Sequence, residues 1–136
     1  MATPPGTNVR GFLTDDEGEL LSALACEAGN LGPVLEIGSW CGRSTIWLAQ
    51  GAKLAGTVVL ALDHHRGSEE HQPGEMFFDA DLVDGEGRVD TLREFRRNIA
   101  QAGVEDTVIP IVAGTQQANA ILPHTLGMVF IDGGHS

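Results

Sequence analysis

The sequence is poor in basic residues and has no long apolar run, and both shortages narrow the functions open to it. Only 8 Lys and Arg stand against 19 Asp and Glu, a formal net charge of −11 at pH 7. A protein that grips a phosphate backbone needs a basic face, so we expect no nucleic-acid partner and no anionic membrane partner. No run is long and apolar enough to span a bilayer, and the N-terminus lacks the apolar core of a signal peptide. We therefore expect a cytoplasmic protein.

Cysteine is also scarce, since Cys26 and Cys41 are the 2 in the chain. Their number and spacing indicate neither a disulfide framework nor a zinc site. A length of 136 residues suits one domain, and a hydrophobic content of 42% is enough to build its core. We expect residues 1–136 to form a single domain. The first ten residues, which carry prolines and a glycine, are expected to be disordered.

Predicted strands alternate with predicted helices along the chain. Thr14 and Glu17 have the spacing of a capping box, which predicts a helix from Thr14 to about Gly29. Apolar runs predict strands at 33–37, 57–62, 107–112 and 128–131, and helices at 44–50, 88–102 and 116–122. Gly51 is assigned to the connection after the first of these helices, and Pro110 favours an edge position for the third strand. This alternation predicts right-handed crossovers and an α/β fold with a parallel sheet.

The strongest functional signal is the run VLEIGSWCGRST at 34–45, where a strand enters a turn that contains Gly38 and Gly42. Glycines let a backbone approach a ligand closely, and the helix that follows offers free N–H groups. Glu36 is costly to bury without a partner, so it either faces a ligand cation or caps the following helix. Trp40 stands where the second glycine of a dinucleotide fingerprint belongs, which disfavours NAD and FAD. The indole either packs in the core or stacks on the ligand.

Asp63 ends the second predicted strand, one βαβ step after Glu36. An acid at this position can accept hydrogen bonds from both hydroxyls of an adenosine ribose. The long polar loop that follows carries His64, His65 and His71, whose spacing fits no standard zinc pattern. We interpret this loop as a solvated or substrate-covering segment.

Together these motifs resemble class I S-adenosylmethionine-dependent methyltransferases, whose motif I is an acidic residue followed by G-x-G-x-G. Glu36, Gly38 and Gly42 match, while Trp40 replaces the middle glycine. The sequence is similar to a small-molecule subgroup with an E-x-G-x-x-x-G loop and an IDG-x-HS motif, which reads IDGGHS here at 131–136. The resemblance covers residues from about 31 to 136. It implies a Rossmann-like fold that is incomplete, with about four strands in the order 3-2-1-4 out of seven, and therefore a C-terminally truncated chain.

The resemblance also implies roles for individual residues. The methionine end of S-adenosylmethionine would be held by Glu36, Gly38, Ser39, Trp40 and Gly42, the ribose by Asp63, and the adenine would lie near Gly114 and Thr115. Asp132 would lie at the active-site mouth, where it either binds a divalent metal such as Mg²⁺ or contacts the acceptor, or is simply a turn residue before glycine. Asp132 and His135 are the candidates for removing the acceptor's proton. The expected reaction is methyl transfer to a small-molecule acceptor, with a hydroxyl oxygen favoured.

Two other functions stay open at this point. One is an NAD-type oxidoreductase domain, which shares the parallel sheet and the acid at position 63. The other is a non-catalytic half-domain or interaction module, which requires only the fold. In the truncated fold that the resemblance implies, the fourth strand, MVFI, would lack a neighbour on one side. Uncovered apolar edges seek a partner strand, so we expect self-association through this edge.

Overall fold

The structure is a computed structural model that describes residues 8–67, 71–75 and 78–132. In chain order its elements are α1 (Asp15–Ala28), β1 (Val34–Ile37), α2 (Arg43–Ala55), β2 (Val59–Leu62), a short 3₁₀ helix (Ala80–Leu82), α3 (Leu92–Gln101), β3 (Val108–Ile111), α4 (Thr115–Ala118) and β4 (Met128–Ile131). The four predicted strands are all present. No helix in these described ranges is long and apolar enough to cross a membrane.

The strands form one parallel sheet in the order β3-β2-β1-β4. Val34 is in register with Val59 of β2 on one side and with Met128 of β4 on the other. Pro110 lies on β3, at the edge of the sheet, where a missing backbone donor costs no ladder hydrogen bond. The predicted Rossmann-like α/β fold and the strand order are therefore confirmed.

The two faces of the sheet are covered unequally. Helices α1, α2 and α3 pack on one face, in a core that includes Val34, Ile46 and Phe95. A smaller cluster around Leu35, Leu60 and Ala118 lies on the other face, under α4. On β4 this second face is open, since Val129 is 49% exposed and Ile131 is 70% exposed. The sheet thus carries an apolar surface beside β4.

Close packing of α1 against α2 explains one error in the sequence analysis. Gly51 was predicted to lie in a connection, but α2 continues through it to Ala55. A Cβ atom on Gly51 would lie 2.0 Å from the backbone oxygen of Ser22 in α1. The glycine is therefore a contact residue inside a helix, and its absent side chain allows the two helix backbones to approach each other.

Three other boundaries differ from prediction or refine it. The capping box is present, with Thr14 accepting from the Glu17 N–H. Helix α3 begins at Leu92 instead of residue 88, because the preceding residues form an antiparallel bridge between Val83 and Val89. Helix α4 has only 4 residues and ends before the predicted residue 122.

The prediction for the first ten residues can be compared with the structure only at residues 8–10, because 1–7 lie outside the described residues. The expected disorder of the first ten residues stays a prediction. Val9 packs against the core, and Arg10 forms ion pairs with Asp79, Asp81 and Glu94. These contacts join residues 9 and 10 to the long loop and to α3.

Candidate functional site

A cavity of about 470 Å³ lies at the edge of the sheet where β1, β2 and β4 end. Six of the predicted site residues line it: Gly38, Trp40, Asp63, Gly114, Thr115 and Asp132. These residues come from four separate connections, and the parallel strands bring them together because their carboxyl ends meet at one edge. Sequence reasoning missed His64, His71, Gln116 and Gln117, which also line the cavity.

The turn between β1 and α2 has a backbone that ordinary residues rarely adopt. Gly38 and Gly42 have φ angles of 92° and 95°, in the region that glycine tolerates without strain. At Gly42 a Cβ atom would lie 3.2 Å from the Phe95 ring, so space as well as backbone angle favours glycine. Trp40 has a φ of 48°, which is uncommon for a residue with a bulky side chain. The turn ends at the N-terminus of α2, where backbone N–H groups and the helix dipole favour negative charge.

Trp40 forms part of the cavity wall instead of packing in the core. Its indole stacks on the imidazole of His71, with ring centroids 5.6 Å apart and planes 17° from parallel. The indole Nε1 is buried and makes no hydrogen bond with any described residue. An unpaired buried polar atom is rare in a native protein, and this one lies beside a cavity large enough for a ligand.

Asp63 links the glycine turn to the segment after β2. One carboxylate oxygen accepts the Trp40 N–H at 2.7 Å, and the other accepts the His65 N–H at 2.8 Å. A carboxylate has about four lone-pair positions, so two remain for a ligand. Asp63 also lines the cavity, in agreement with its predicted position at a strand end.

Glu36 is fully buried and does not line the cavity. Its two carboxylate oxygens accept hydrogen bonds from the hydroxyls of Ser44 and Thr45, in the first turn of α2. Burial raises the pKa of Glu36 to about 7, although both hydroxyls act in the opposite direction. Glu36, on β1, is therefore linked to the first turn of α2 by these two hydrogen bonds. Ser39 and Gly42 also lie in the turn without lining the cavity.

Asp132 lines the cavity from the end of β4, and its N–H donates to the Ile37 carbonyl at 2.9 Å. The side chain is open to solvent on one side. Partial desolvation, followed by the negative charge of Glu17, raises the pKa of Asp132. The other predicted catalytic residue, His135, lies outside the described residues together with the rest of 133–136.

No metal centre is apparent among residues 8–67, 71–75 and 78–132. Within these ranges no three His, Cys, Asp or Glu side chains come together in a group that could hold an ion. A divalent metal at Asp132, which the resemblance implies, would need ligands beyond Asp132 itself, and it stays a prediction.

His65 is the most important residue that sequence reasoning misjudged. The loop at 64–87 was interpreted as solvated or substrate-covering, yet His65 is only 1% exposed. Its ring packs on Phe95 at a centroid distance of 5.0 Å, and Nδ1 lies 2.7 Å from the Thr91 hydroxyl. Neighbouring His64 lines the cavity instead. The two adjacent histidines thus have opposite environments, and nothing in their order along the chain distinguishes them.

Comparison with protein families matches residues 35–136 to the family described as "Methyltransferase domain". The match contains β1 from Leu35 onward, the glycine turn and all the predicted site residues. The chain belongs to this family. The resemblance inferred from the motifs around Glu36 and Asp132 is therefore confirmed at the level of the family.

Solved structures agree with this methyltransferase domain. Cofactor-bound Rv0187 from MTB superposes with a TM-score of 0.63 and 27% identity, over 94% of this chain and 48% of that one. An O-methyltransferase from Bacillus cereus in complex with SAH gives 0.61 and 26%, over 90% of this chain and 46% of that one. The O-methyltransferase TomG from Streptomyces achromogenes, solved with SAM, shares the fold at a TM-score of 0.60 and 22% identity, over 90% and 45%. The chain spans about half the length of these structures.

Proposed function

We propose that the chain binds S-adenosylmethionine in the cavity at the strand ends and serves methyl transfer to a small-molecule hydroxyl group. One observation carries the proposal: in a methyltransferase domain, one cavity of about 470 Å³ is lined by six predicted site residues, Gly38, Trp40, Asp63, Gly114, Thr115 and Asp132. Its volume is within the usual range for small-molecule sites. The B. cereus relative was solved with SAH, which supports the same cofactor here.

The cofactor would lie across the strand ends. We assign the methionine end to the turn from Gly38 to Gly42, where the N-terminus of α2 can meet the carboxylate. Glu36 would support binding of the methionine end without lining the cavity. It holds the first turn of α2 in place, and its ionised carboxylate favours a nearby ammonium group.

The adenosine would occupy the other half of the cavity. We assign the ribose hydroxyls to the two remaining acceptor positions of Asp63, and the adenine to the start of α4 at Gly114 and Thr115. The paired rings of Trp40 and His71 would close the wall between the turn and the long loop. Trp40 also argues against a dinucleotide, since its side chain occupies the place where a pyrophosphate needs a close backbone approach.

When bound, S-adenosylmethionine would supply a methyl group on a sulfonium sulfur; the acceptor oxygen would form a bond to the methyl carbon in line, and the sulfur would leave as the thioether of S-adenosylhomocysteine. The protein's part is to align the two and to remove the acceptor's proton. Asp132 lines the cavity, and its raised pKa makes its carboxylate a better proton acceptor than an ordinary aspartate. We assign it the role of general base. His135 stays a second candidate on the strength of the sequence motif.

The proposal of a hydroxyl acceptor is based on similarity to a known O-methyltransferase and not on a contact in the structure. The B. cereus protein at 26% identity is an O-methyltransferase, and oxygen is therefore the favoured acceptor atom. The strongly acidic composition, −11 at pH 7, favours a small molecule over a polyanion.

Titration with S-adenosylhomocysteine tests the proposal. Calorimetry should give saturable binding, and ligand at a hundred times Kd should stabilise the folded chain by about 2.7 kcal/mol. Asp63→Ala should abolish both signals, while the exposed control Asp106→Ala should leave them unchanged. A cooperatively folded chain that binds no S-adenosylhomocysteine would exclude the proposed function. Binding of NAD in its place would favour the oxidoreductase alternative, and binding of neither would favour a non-catalytic module.

A further inference from the structure

His65 is a buried side chain to which the proposed reaction gives no task. It is 1% exposed, does not line the cavity, and has a φ of 63° in the left-handed region. Burial lowers the pKa of His65, so the ring is neutral. Its Nε2 is buried without a hydrogen-bond partner among the described residues. Histidine at positive φ is uncommon, and it persists only where surrounding contacts hold it.

Thr91 supplies those contacts from the start of α3. Its N–H donates to the His65 carbonyl at 3.0 Å, and its hydroxyl lies 2.7 Å from Nδ1 of the ring. Thr91 itself is fully buried, and its carbonyl accepts the Phe95 N–H in the first turn of the helix. Both the backbone and the side chain of His65 are thus held by one residue of α3.

The backbone held in this way carries one of the two N–H groups that orient Asp63. The His65 N–H reaches one carboxylate oxygen at 2.8 Å, and the Trp40 N–H reaches the other at 2.7 Å. If either N–H moved, the carboxylate could rotate about its side-chain bonds, and its free lone pairs would no longer point into the cavity.

Helix α3 supports the glycine turn as well. The Asn98 side-chain amide donates to the Cys41 carbonyl at 2.9 Å, and Phe95 lies directly beneath Gly42. The Asp63 carboxylate and the glycine turn therefore both depend on α3. This helix does not itself line the cavity.

We infer that His65 and Thr91 are positioning residues, which aim the Asp63 carboxylate at the ribose and so set the ribose selectivity of the site. The inference rests on the proposed function. A hydrogen bond to a charged group typically changes affinity by about ten- to a hundred-fold, and this selectivity depends on the orientation of the carboxylate. A purely structural role for the pair would change stability, and would weaken binding of every ligand alike.

The test compares S-adenosylhomocysteine with its analogue lacking the ribose 2′-hydroxyl. In the wild-type chain the analogue should bind about ten-fold or more weakly. Thr91→Val removes the hydroxyl but keeps the N–H to His65, and should reduce this preference to about three-fold or less. Thr91→Ser keeps the hydroxyl and should preserve the preference. A folded Thr91→Val chain with the full preference, or with equal losses for both ligands, would overturn the inference.

His65→Asn provides a second variant should Thr91→Val fail to fold. Asparagine adopts left-handed backbone readily but cannot reach Thr91 as the imidazole does, so the ribose preference should again fall. Hydrogen exchange of the backbone amide at position 65 in the ligand-free chain adds an independent readout, and protection there should drop about ten-fold in either variant. Unchanged protection and preference would refute the inference alone, whereas a wild-type chain that binds neither ligand would refute the proposed function.

Discussion

Glu36 gives the sharpest test of the structure, because it combines full burial with a pKa raised to about 7. The ordinary pKa of 4.5 applies in the unfolded chain. Between these two values the folded state keeps a proton that the unfolded state has released, so stability falls as pH rises. A difference of about 2.5 units corresponds to about 3 kcal/mol, lost progressively between pH 4.5 and pH 7.

Glu36→Gln should remove this pH dependence. A glutamine has one acceptor and one donor group at its end, as a protonated glutamate does, so it can bond both the Ser44 and the Thr45 hydroxyls. We expect the variant to match the wild type near pH 5. At pH 8, where the wild-type chain must keep an ionised carboxylate buried, the variant should be more stable by up to about 3 kcal/mol.

Urea unfolding at half-unit steps from pH 5 to pH 8.5 measures the difference between the two chains directly. Other titrating groups are common to both and cancel in the difference. Glu86→Gln, at an exposed loop position, serves as the control and should stay within about 0.5 kcal/mol of the wild type throughout. A Glu36→Gln difference that does not change with pH, or a variant that is less stable at pH 8, would refute the assigned environment of Glu36.

Two further predictions concern packing and association. Gly51→Ala should destabilise the chain by about 3 kcal/mol in urea unfolding, because the new Cβ would lie 2.0 Å from the Ser22 oxygen. The control Gly85→Ala, where a Cβ would meet nothing within 4 Å, should change stability by less than about 0.5 kcal/mol. Equal effects of the two substitutions would contradict the helix contact. Because the edge and one face of β4 are open, the wild-type chain should self-associate as its concentration rises, which sedimentation velocity measures. Val129→Lys should suppress the association, whereas the control Gln101→Lys, at an exposed position, should not. A wild-type chain that sediments as a clean monomer at high concentration would rule out the association.

Much of the fold followed from local patterns. Thr14 and Glu17 predicted the start of α1, because a capping box is satisfied within four residues. The parallel sheet followed from the alternation of strands and helices, whereas the order of its strands was implied by the resemblance to class I methyltransferases. Gly38, Asp63 and Asp132 could be placed in one cavity because each follows a strand, and parallel strands end at the same edge.

The tertiary structure decided the partners of residues that the sequence could only mark as unusual. Glu36 had two candidate partners, a ligand or the next helix, and only the packing of α2 on β1 assigned its contacts to Ser44 and Thr45. Gly51 had the local signature of a turn, but the approach of α1, about thirty residues earlier, made it a helix contact. Periodicity and motif spacing describe a residue's neighbours along the chain.

His65 shows the same limit at the site itself. Nothing in the sequence distinguishes His65 from His64. Nevertheless His64 lines the cavity, whereas the His65 ring is enclosed between Thr91 and Phe95. His65 faces inward because its contacts come from Thr91, just before α3, and from Phe95 within that helix. Thus the sequence determined the family, the sheet and the strand-end acids, whose signals are local. Burial and hydrogen-bond partners are properties of segments distant in sequence, so only the folded chain could determine them.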